Sequence, residues 1–306
     1  MWQIIGAGAI GCLWSANLIR TGEQVKLISR RETSAQQLFY QNLAGDKFTY
    51  QCSISDQLSR PSLCDNSPIL VCVKAPQVKL ALTQYQNNIS DSQVIILMHN
   101  GMGCAEQVAE LFPNNPIICA TTANASLLNS PFNITQTGLG ISFLGPFNEQ
   151  AKPYFHLAET LNNALDNTIW CEDIEQKLWL KLIINIAINP LTAIYQINNG
   201  SLAQKEFQEK INTILEEALP VLEALQLPFT KCELLQTINT VISATADNFS
   251  SMNRDIFFKR TTENEFITGF LTKKASQFNI ETPFITSLYQ QIKVLESHSP
   301  TLLNIV

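Results

Sequence analysis

Short apolar, β-branched runs recur through the first half of the chain. Residues 4–5, 25–28, 69–73, 94–98, 117–118 and 141–144 form these runs, and loops or helix-length segments separate them. That rhythm predicts a doubly wound sheet. Near residue 170 the apolar spacing lengthens from the strand period to three and four: Ile174, Leu178, Leu182; then Ile211, Ile214, Leu215, Leu219, Leu222; then Phe266, Phe270, Leu271. This spacing predicts packed amphipathic helices to the end of the chain, with Pro220, Pro228 and Pro283 as breaks or kinks. The expected architecture is therefore α/β, with a Rossmann-type doubly wound sheet over residues 1–169 followed by an all-helical domain over 170–306. No internal repeat or long low-complexity linker interrupts it.

The first strand runs directly into Gly6-Ala7-Gly8-Ala9-Ile10-Gly11, a G-x-G-x-x-G that opens a helix kept apolar on one side by Leu13, Ala16, Leu18 and Ile19. A glycine-rich turn alone is weak evidence, but strand before and helix after make it a dinucleotide site. Gly6 allows the tight turn, Gly8 lets backbone N–H groups approach a pyrophosphate, and Gly11 lets the helix pack on the sheet. The helix N-terminus adds positive potential for the phosphates. Where NAD-binding chains carry an acidic residue at the end of the second strand, this one has Ser29-Arg30-Arg31. A guanidinium pairs with a phosphate and cannot accept ribose hydroxyls, so NADP(H) is favoured. A merely solvated loop is the plainer reading of the two arginines, and Glu32 keeps an NAD alternative open.

Composition removes several classes of function. At 306 residues and 45% hydrophobic content the chain is an ordinary globular protein of about two domains. A net charge of −6 argues against nucleic acid or an anionic membrane as partner. Its eight cysteines are scattered without a C-x-x-C pair, so reduced, cytoplasmic thiols are expected, and three histidines make a His-based metal site improbable. Residues 182–197 are strongly apolar, yet Asn185, Asn189 and Pro190 interrupt them in a way that disfavours a membrane span.

Three polar clusters are expected at the cleft between the domains, where such folds bind ligands. Lys74 and Asn100 follow two of the predicted strands at once, the latter within His99-Asn100-Gly101-Met102-Gly103. On a helix expected over 176–188, Lys181, Asn185 and Asn189 fall at i, i+4 and i+8 and share one face of an apolar segment. A buried stripe of that kind costs several kcal/mol unless something polar answers it, which makes Lys181 the best catalytic candidate. The plainer reading is a snorkelling lysine beside two structural amides. The third cluster is Ser250-Ser251-Met252-Asn253-Arg254-Asp255 with Arg260 to Phe266, in which Thr262 and Glu265 have the T-x-x-E spacing of a capping box that would put Glu263 in a helix's first turn.

Over essentially its whole length the chain resembles the ketopantoate reductases. The resemblance is carried by IIGAGAIGCLW (4–14), VKAPQV (73–78), HNGMG (99–103), KLWLKLIINIAINPLTAI (177–194), NNG (198–200), ATADNFSSMNRDI (244–256) and TENEFITGF (262–270). It implies a Rossmann domain, a helical C-terminal domain, NADPH as hydride donor and ketopantoate as the small-molecule substrate of pantothenate synthesis, in a cytoplasmic monomer or homodimer. It matches Lys181 to the catalytic lysine and Glu263 to a second catalytic acid. Asn100, Asn185, Asn189, Asn199 and Ser251 match substrate-contacting positions. Gly6, Ala7, Gly8, Ala9, Ile10, Gly11, Arg30, Lys74, Gln77 and Asn100 match positions at the nucleotide, Gln77 and Asn199 being implied by the resemblance alone. Two departures, Asn124 where the family often has His and Thr268 where it often has Asn, bear on substrate discrimination. A related dehydrogenase of other 2-oxo or 3-hydroxy acids, or a non-catalytic NADP(H) sensor, are the alternatives.

Overall fold

The computed structural model describes residues 1–30, 34–56, 63 and 66–297. They form two compact units, one of residues 1–99 and 103–177 and the other of residues 100–102 with 178 onward.

The first unit is built on an eight-stranded sheet. From one edge, β5 (Ser53–Asp56), β2 (Val25–Ser29), β1 (Trp2–Ile5), β6 (Ile69–Val71), β7 (Ile95–Met98) and β8 (Ile117–Thr122) run parallel, and β11 (Ser142–Pro146) and β12 (Thr168–Trp170) extend it, β11 antiparallel to β8. The six parallel strands have the dinucleotide-binding order, in which successive strands are added outward on one side of β1 and then, from β6, on the other. Their runs are almost continuously buried because helices cover the sheet. Among these helices are α1 (Ala9–Arg20), α2 (Ala75–Thr83), α3 (Cys104–Leu111) and α4 (Leu157–Ala164).

A second sheet was not foreseen from the sequence. The hairpin β3 (Gln37–Gln41) and β4 (Lys47–Gln51) joins β9 (Ala125–Ser130) and β10 (Asn133–Gly138) in the order β4-β3-β10-β9. Its strands are rich in Gln, Asn, Ser and Thr and expose alternate residues, so no apolar run announced them. This sheet packs on α1 and corrects the expectation of a helix apolar on one side only: every residue from Gly11 to Leu18 is buried. The two polar members turn inward and satisfy themselves on the helix, Ser15 Oγ donating to Gly11 O at 2.7 Å and Asn17 Nδ2 to Leu13 O at 2.9 Å.

The second unit is helical: α5 (Ile174–Tyr195, entering from the first unit), α6 (Lys205–Ala224), α7 (Lys231–Ala244), α8 (Ser251–Phe257), α9 (Thr268–Gln277) and α10 (Pro283–Ser297). Its core gathers Trp179, Ile183, Ile186, Ile211, Leu215, Leu234, Ile238, Leu288 and Ile292. The prolines behave less disruptively than expected. Pro190 and Pro220 lie inside α5 and α6, and Pro283 is the first residue of α10, where a missing N–H costs nothing. By length and composition α5 could cross a membrane, but most of its apolar stretch is buried within the protein.

Candidate active site

At the end of β1 the chain turns on Gly6 at φ +114°, a conformation L side chains rarely adopt. A Cβ there would lie 2.8 Å from Val73 Cγ1, and one on Gly11 would lie 1.9 Å from Gly6 O, so both positions require glycine. Gly8 differs: a Cβ would meet nothing within 4 Å, which leaves the backbone in front of it open. Gly8 is also the N-cap of α1, gives no side-chain cap, and no acidic residue stands in the first turn. Donors at the start of α1 thus face an open approach with no carboxylate to repel an anion, and this fits a pyrophosphate over Gly6, Ala7, Gly8, Ala9, Ile10 and Gly11.

The loop after β6 borders this turn. The strand ends at Val71, not 73, so Lys74 follows a two-residue connection and is the N-cap of α2, with Gln77 half-buried in that helix's first turn. The backbone of Gly6 lies close against residues 72 and 73, and Cys72 N still donates to Ile5 O at 2.8 Å. Arg30 is exposed one residue past β2, while Arg31 and Glu32 lie outside the described residues.

In the helical unit the expected helix is longer than predicted and carries Lys181, Asn185 and Asn189 through to Tyr195. Leu182, Ile183, Ile186, Ala187 and Ile188 around them are at most 3% exposed. Lys181 and Asn185 are half-buried and Asn189 is buried. Loss of hydration lowers the Lys181 ammonium from its ordinary 10.5 to about 8, and the charge of Glu263 opposes part of the fall.

Glu263 is buried, but not as a first-turn helix residue, and the expected capping box does not form. Glu296 Oε1 of α10 accepts from both Thr262 Oγ1 (2.7 Å) and Thr262 N (2.9 Å), so the threonine hydroxyl is taken from across the unit, while Glu265 accepts from Tyr289. Asn264 Nδ2 donates to Tyr289 O at 3.0 Å. Glu263 therefore stands between two residues pinned to α10. The segment Asn100–Met102 reaches it through Gly101 (φ +81°), where a Cβ would sit 2.5 Å from Phe266 O, and Met102 N donates to that same oxygen at 2.8 Å. Asn100 Nδ2 then donates to Glu263 Oε2 at 3.0 Å.

The remaining candidates lie on neighbouring elements. Ser251 is exposed at the start of α8, and the cap is Ser250, whose Oγ accepts from Asn253 N at 3.1 Å and is hydrogen-bonded to Thr192 Oγ1 at 2.7 Å. Asn253 Nδ2 donates to Thr192 O at 2.7 Å. These bonds fasten α8 to the end of α5, a coupling the sequence did not show. Asn199, 7% exposed, donates from Nδ2 to Thr245 Oγ1 at 2.9 Å, and its Oδ1 is buried without a partner among the described residues. Asn124 is buried in the first unit and donates to Ser142 Oγ at 3.1 Å.

Sequence comparison agrees across the chain. Residues 2–149 match the family model "Ketopantoate reductase PanE/ApbA" and residues 173–296 its C-terminal counterpart. The 2-dehydropantoate 2-reductase of Vibrio cholerae serotype O1 is 38% identical over 96% of this chain and 97% of that protein, and that of Escherichia coli O157:H7 is 32% identical over 96% and 94%. Among solved structures, a PanE/ApbA family ketopantoate reductase from Ralstonia eutropha JMP134 superposes with a TM-score of 0.86 at 23% identity over 98% of this chain and 99% of that one. A D-mandelate dehydrogenase solved with NADH and anilino(oxo)acetate shares the fold at TM-score 0.89 and 22% identity over 97% and 99%. With two matched family models and relatives above 30% identity along its length, the chain belongs to the ketopantoate reductase family of oxidoreductases.

Proposed function

We propose that this chain reduces the C2 carbonyl of 2-dehydropantoate to the alcohol of pantoate, with NADPH as reductant, as a cytoplasmic enzyme of pantothenate synthesis. The observation that carries this reading is the Lys181 amine, set in an apolar helix, coupled to the buried Glu263 carboxylate and brought to about 8. An ammonium near neutrality is suited to give a proton to an oxygen that is becoming an alkoxide. When bound, NADPH supplies the hydride that adds to the carbonyl carbon.

The protein's own groups do the rest. Lys181 donates its proton to the carbonyl oxygen and stabilises the negative charge that develops there. Glu263 favours the charged amine and holds Asn100 by the 3.0 Å bond. Asn100 and the exposed Ser251 hydroxyl bind the substrate carboxylate, and Asn185, Asn189 and Asn199 hold the hydroxyl end. For the dinucleotide, residues 6–11 receive the pyrophosphate and Arg30 the 2′-phosphate, with Lys74, Gln77 and Asn100 as further contacts.

The test is NADPH consumption, followed by absorbance, with 2-dehydropantoate and a panel of other 2-oxo acids, repeated with NADH. Turnover should be greatest with 2-dehydropantoate and NADPH, and Lys181→Ala should lower kcat by at least about two orders of magnitude. Preference for another oxo acid would move the assignment to a related dehydrogenase. Binding of NADPH with no turnover of any oxo acid, or wild-type turnover in the alanine variant, would end it.

A further inference from the structure

Asn199 is nearly closed off from solvent, yet one end of its amide is provided for and the other is not. Its backbone cannot shift to correct this. Asn199 N donates to Asn248 O at 2.9 Å, Gly200 N donates to Ala246 O at 3.0 Å, and a Cβ on Gly200 would be 2.9 Å from the Cβ of Ala246. Residues 199–200 are thereby stitched to residues 246–248.

Which end of the amide faces Thr245 is decided by where that hydroxyl's single proton goes. Thr245 closes the C-terminus of α7, and its Oγ1 donates at 2.7 Å to Val241 O, which also accepts from Thr245 N at 3.0 Å, the usual return of a helix threonine hydroxyl to its i−4 carbonyl. The proton is committed there, so toward Asn199 the threonine offers only lone pairs. An amide oxygen turned to it would set lone pair against lone pair, whereas the NH2 group makes the 2.9 Å bond. Oδ1 is consequently held pointing away as a buried acceptor. A buried acceptor is satisfied only by a donor, and the chemical group that both donates and belongs on a small oxo acid is a hydroxyl.

We propose that Thr245, through the orientation it imposes on Asn199, is a specificity-determining positioning residue that makes the site select oxo acids bearing a donor hydroxyl. This rests on the reductase reading, in which Asn199 meets the hydroxyl end of the substrate, and adds the residue that sets which end of the amide does so. Without the threonine oxygen the amide is free to turn its NH2 group inward, and a donor facing a substrate hydroxyl demands less of it, because that hydroxyl can also accept.

The experiment compares wild type, Thr245→Val and Thr245→Ser with two substrates, 2-dehydropantoate and its analogue lacking the hydroxyl. Valine keeps the branched shape and removes the oxygen; serine restores it. Wild type should prefer the hydroxyl-bearing acid strongly in kcat/KM, as sites built around a buried hydrogen bond do. In Thr245→Val that preference should shrink by about tenfold or more, chiefly through a higher KM for 2-dehydropantoate, with kcat/KM for the analogue held within about twofold. Thr245→Ser should return the preference.

Equal losses on both substrates would mean a structural role only, and an unchanged preference would mean that Asn199 orients itself. A higher KM for NADPH with unchanged substrate preference would assign the donor to a ribose hydroxyl of the dinucleotide. Each overturns the inference while leaving the reductase reading intact; failure of wild type to turn over 2-dehydropantoate would overturn both. Should Thr245→Val be unfolded by circular dichroism, Thr245→Ala carries the same comparison.

Discussion

Lys181 is useful because its charge is only partly supported. Burial disfavours the ammonium and Glu263 favours it, and under the proposed mechanism the balance near 8 sets the pH at which the proton donor is lost. Reduction should therefore hold at low pH and fall as pH rises through about 8, with a single-proton slope in kcat/KM. Glu263→Gln removes the charge that raises the lysine, so the falling limb should move to lower pH, and in Lys181→Ala it should vanish; a wild-type profile flat across this range would rule the lysine out as donor. Arg30 allows a second expectation. If it meets the 2′-phosphate, Arg30→Ala should weaken NADPH binding by about tenfold to a hundredfold while leaving NADH almost untouched, measured by fluorescence titration. At this scale the polar stripe of α5 was readable in advance, since Lys181, Asn185 and Asn189 stand out against apolar neighbours within two turns. The bond between Asn100 and Glu263 was not, because 163 residues separate them and the glycine at 101 reveals its purpose only against Phe266.

Elements departed from expectation where a distant side chain competed with a local one. The Thr262 to Glu265 spacing suits a capping box, but Glu296 and Tyr289 on α10 take both groups, so a short turn forms there and the helix proper, α9, begins at Thr268. Helix α5 passes through Pro190 because Leu191 and Ala193 beyond it are fully buried, and Thr192 Oγ1 returns to the carbonyls of Ile188 (2.9 Å) and Asn189 (3.1 Å). Burial of that last turn outweighs one lost backbone bond. The same threonine ties α5 to the cap of α8. Ser250→Ala should accordingly lower stability by about 1–2 kcal/mol, seen as a lower denaturation midpoint, and raise KM for the oxo acid because Ser251 sits next in the chain. An unchanged KM with the stability loss intact would separate the cap from substrate binding.

For the molecule as a whole, the two units have separate cores, and of the residues proposed for the nucleotide 6–11, 30, 74 and 77 belong to the first and Asn100 to the second. A ligand that binds only the folded state stabilises it by mass action, so NADPH at about 100 times its Kd should add about 2.7 kcal/mol and raise the melting temperature, and NADH at the same concentration should do less. Gly11→Ala, which would press a methyl against Gly6 O, should abolish that shift in a calorimetric scan. By itself the sequence determined the glycine turn and its helix, the parallel strands, the change to a helical period near residue 170 and the polar face of α5. Each depends on residues within a few positions of one another, where strand and helix periods and backbone sterics act. Tertiary structure alone decided the second sheet over α1, the clamp that holds Glu263, the meeting of Asn100 with that carboxylate and the orientation of the Asn199 amide. Those depend on which donor finds which acceptor across long stretches of chain, and a proton on Thr245 is assigned only once Val241 and Asn199 both stand beside it.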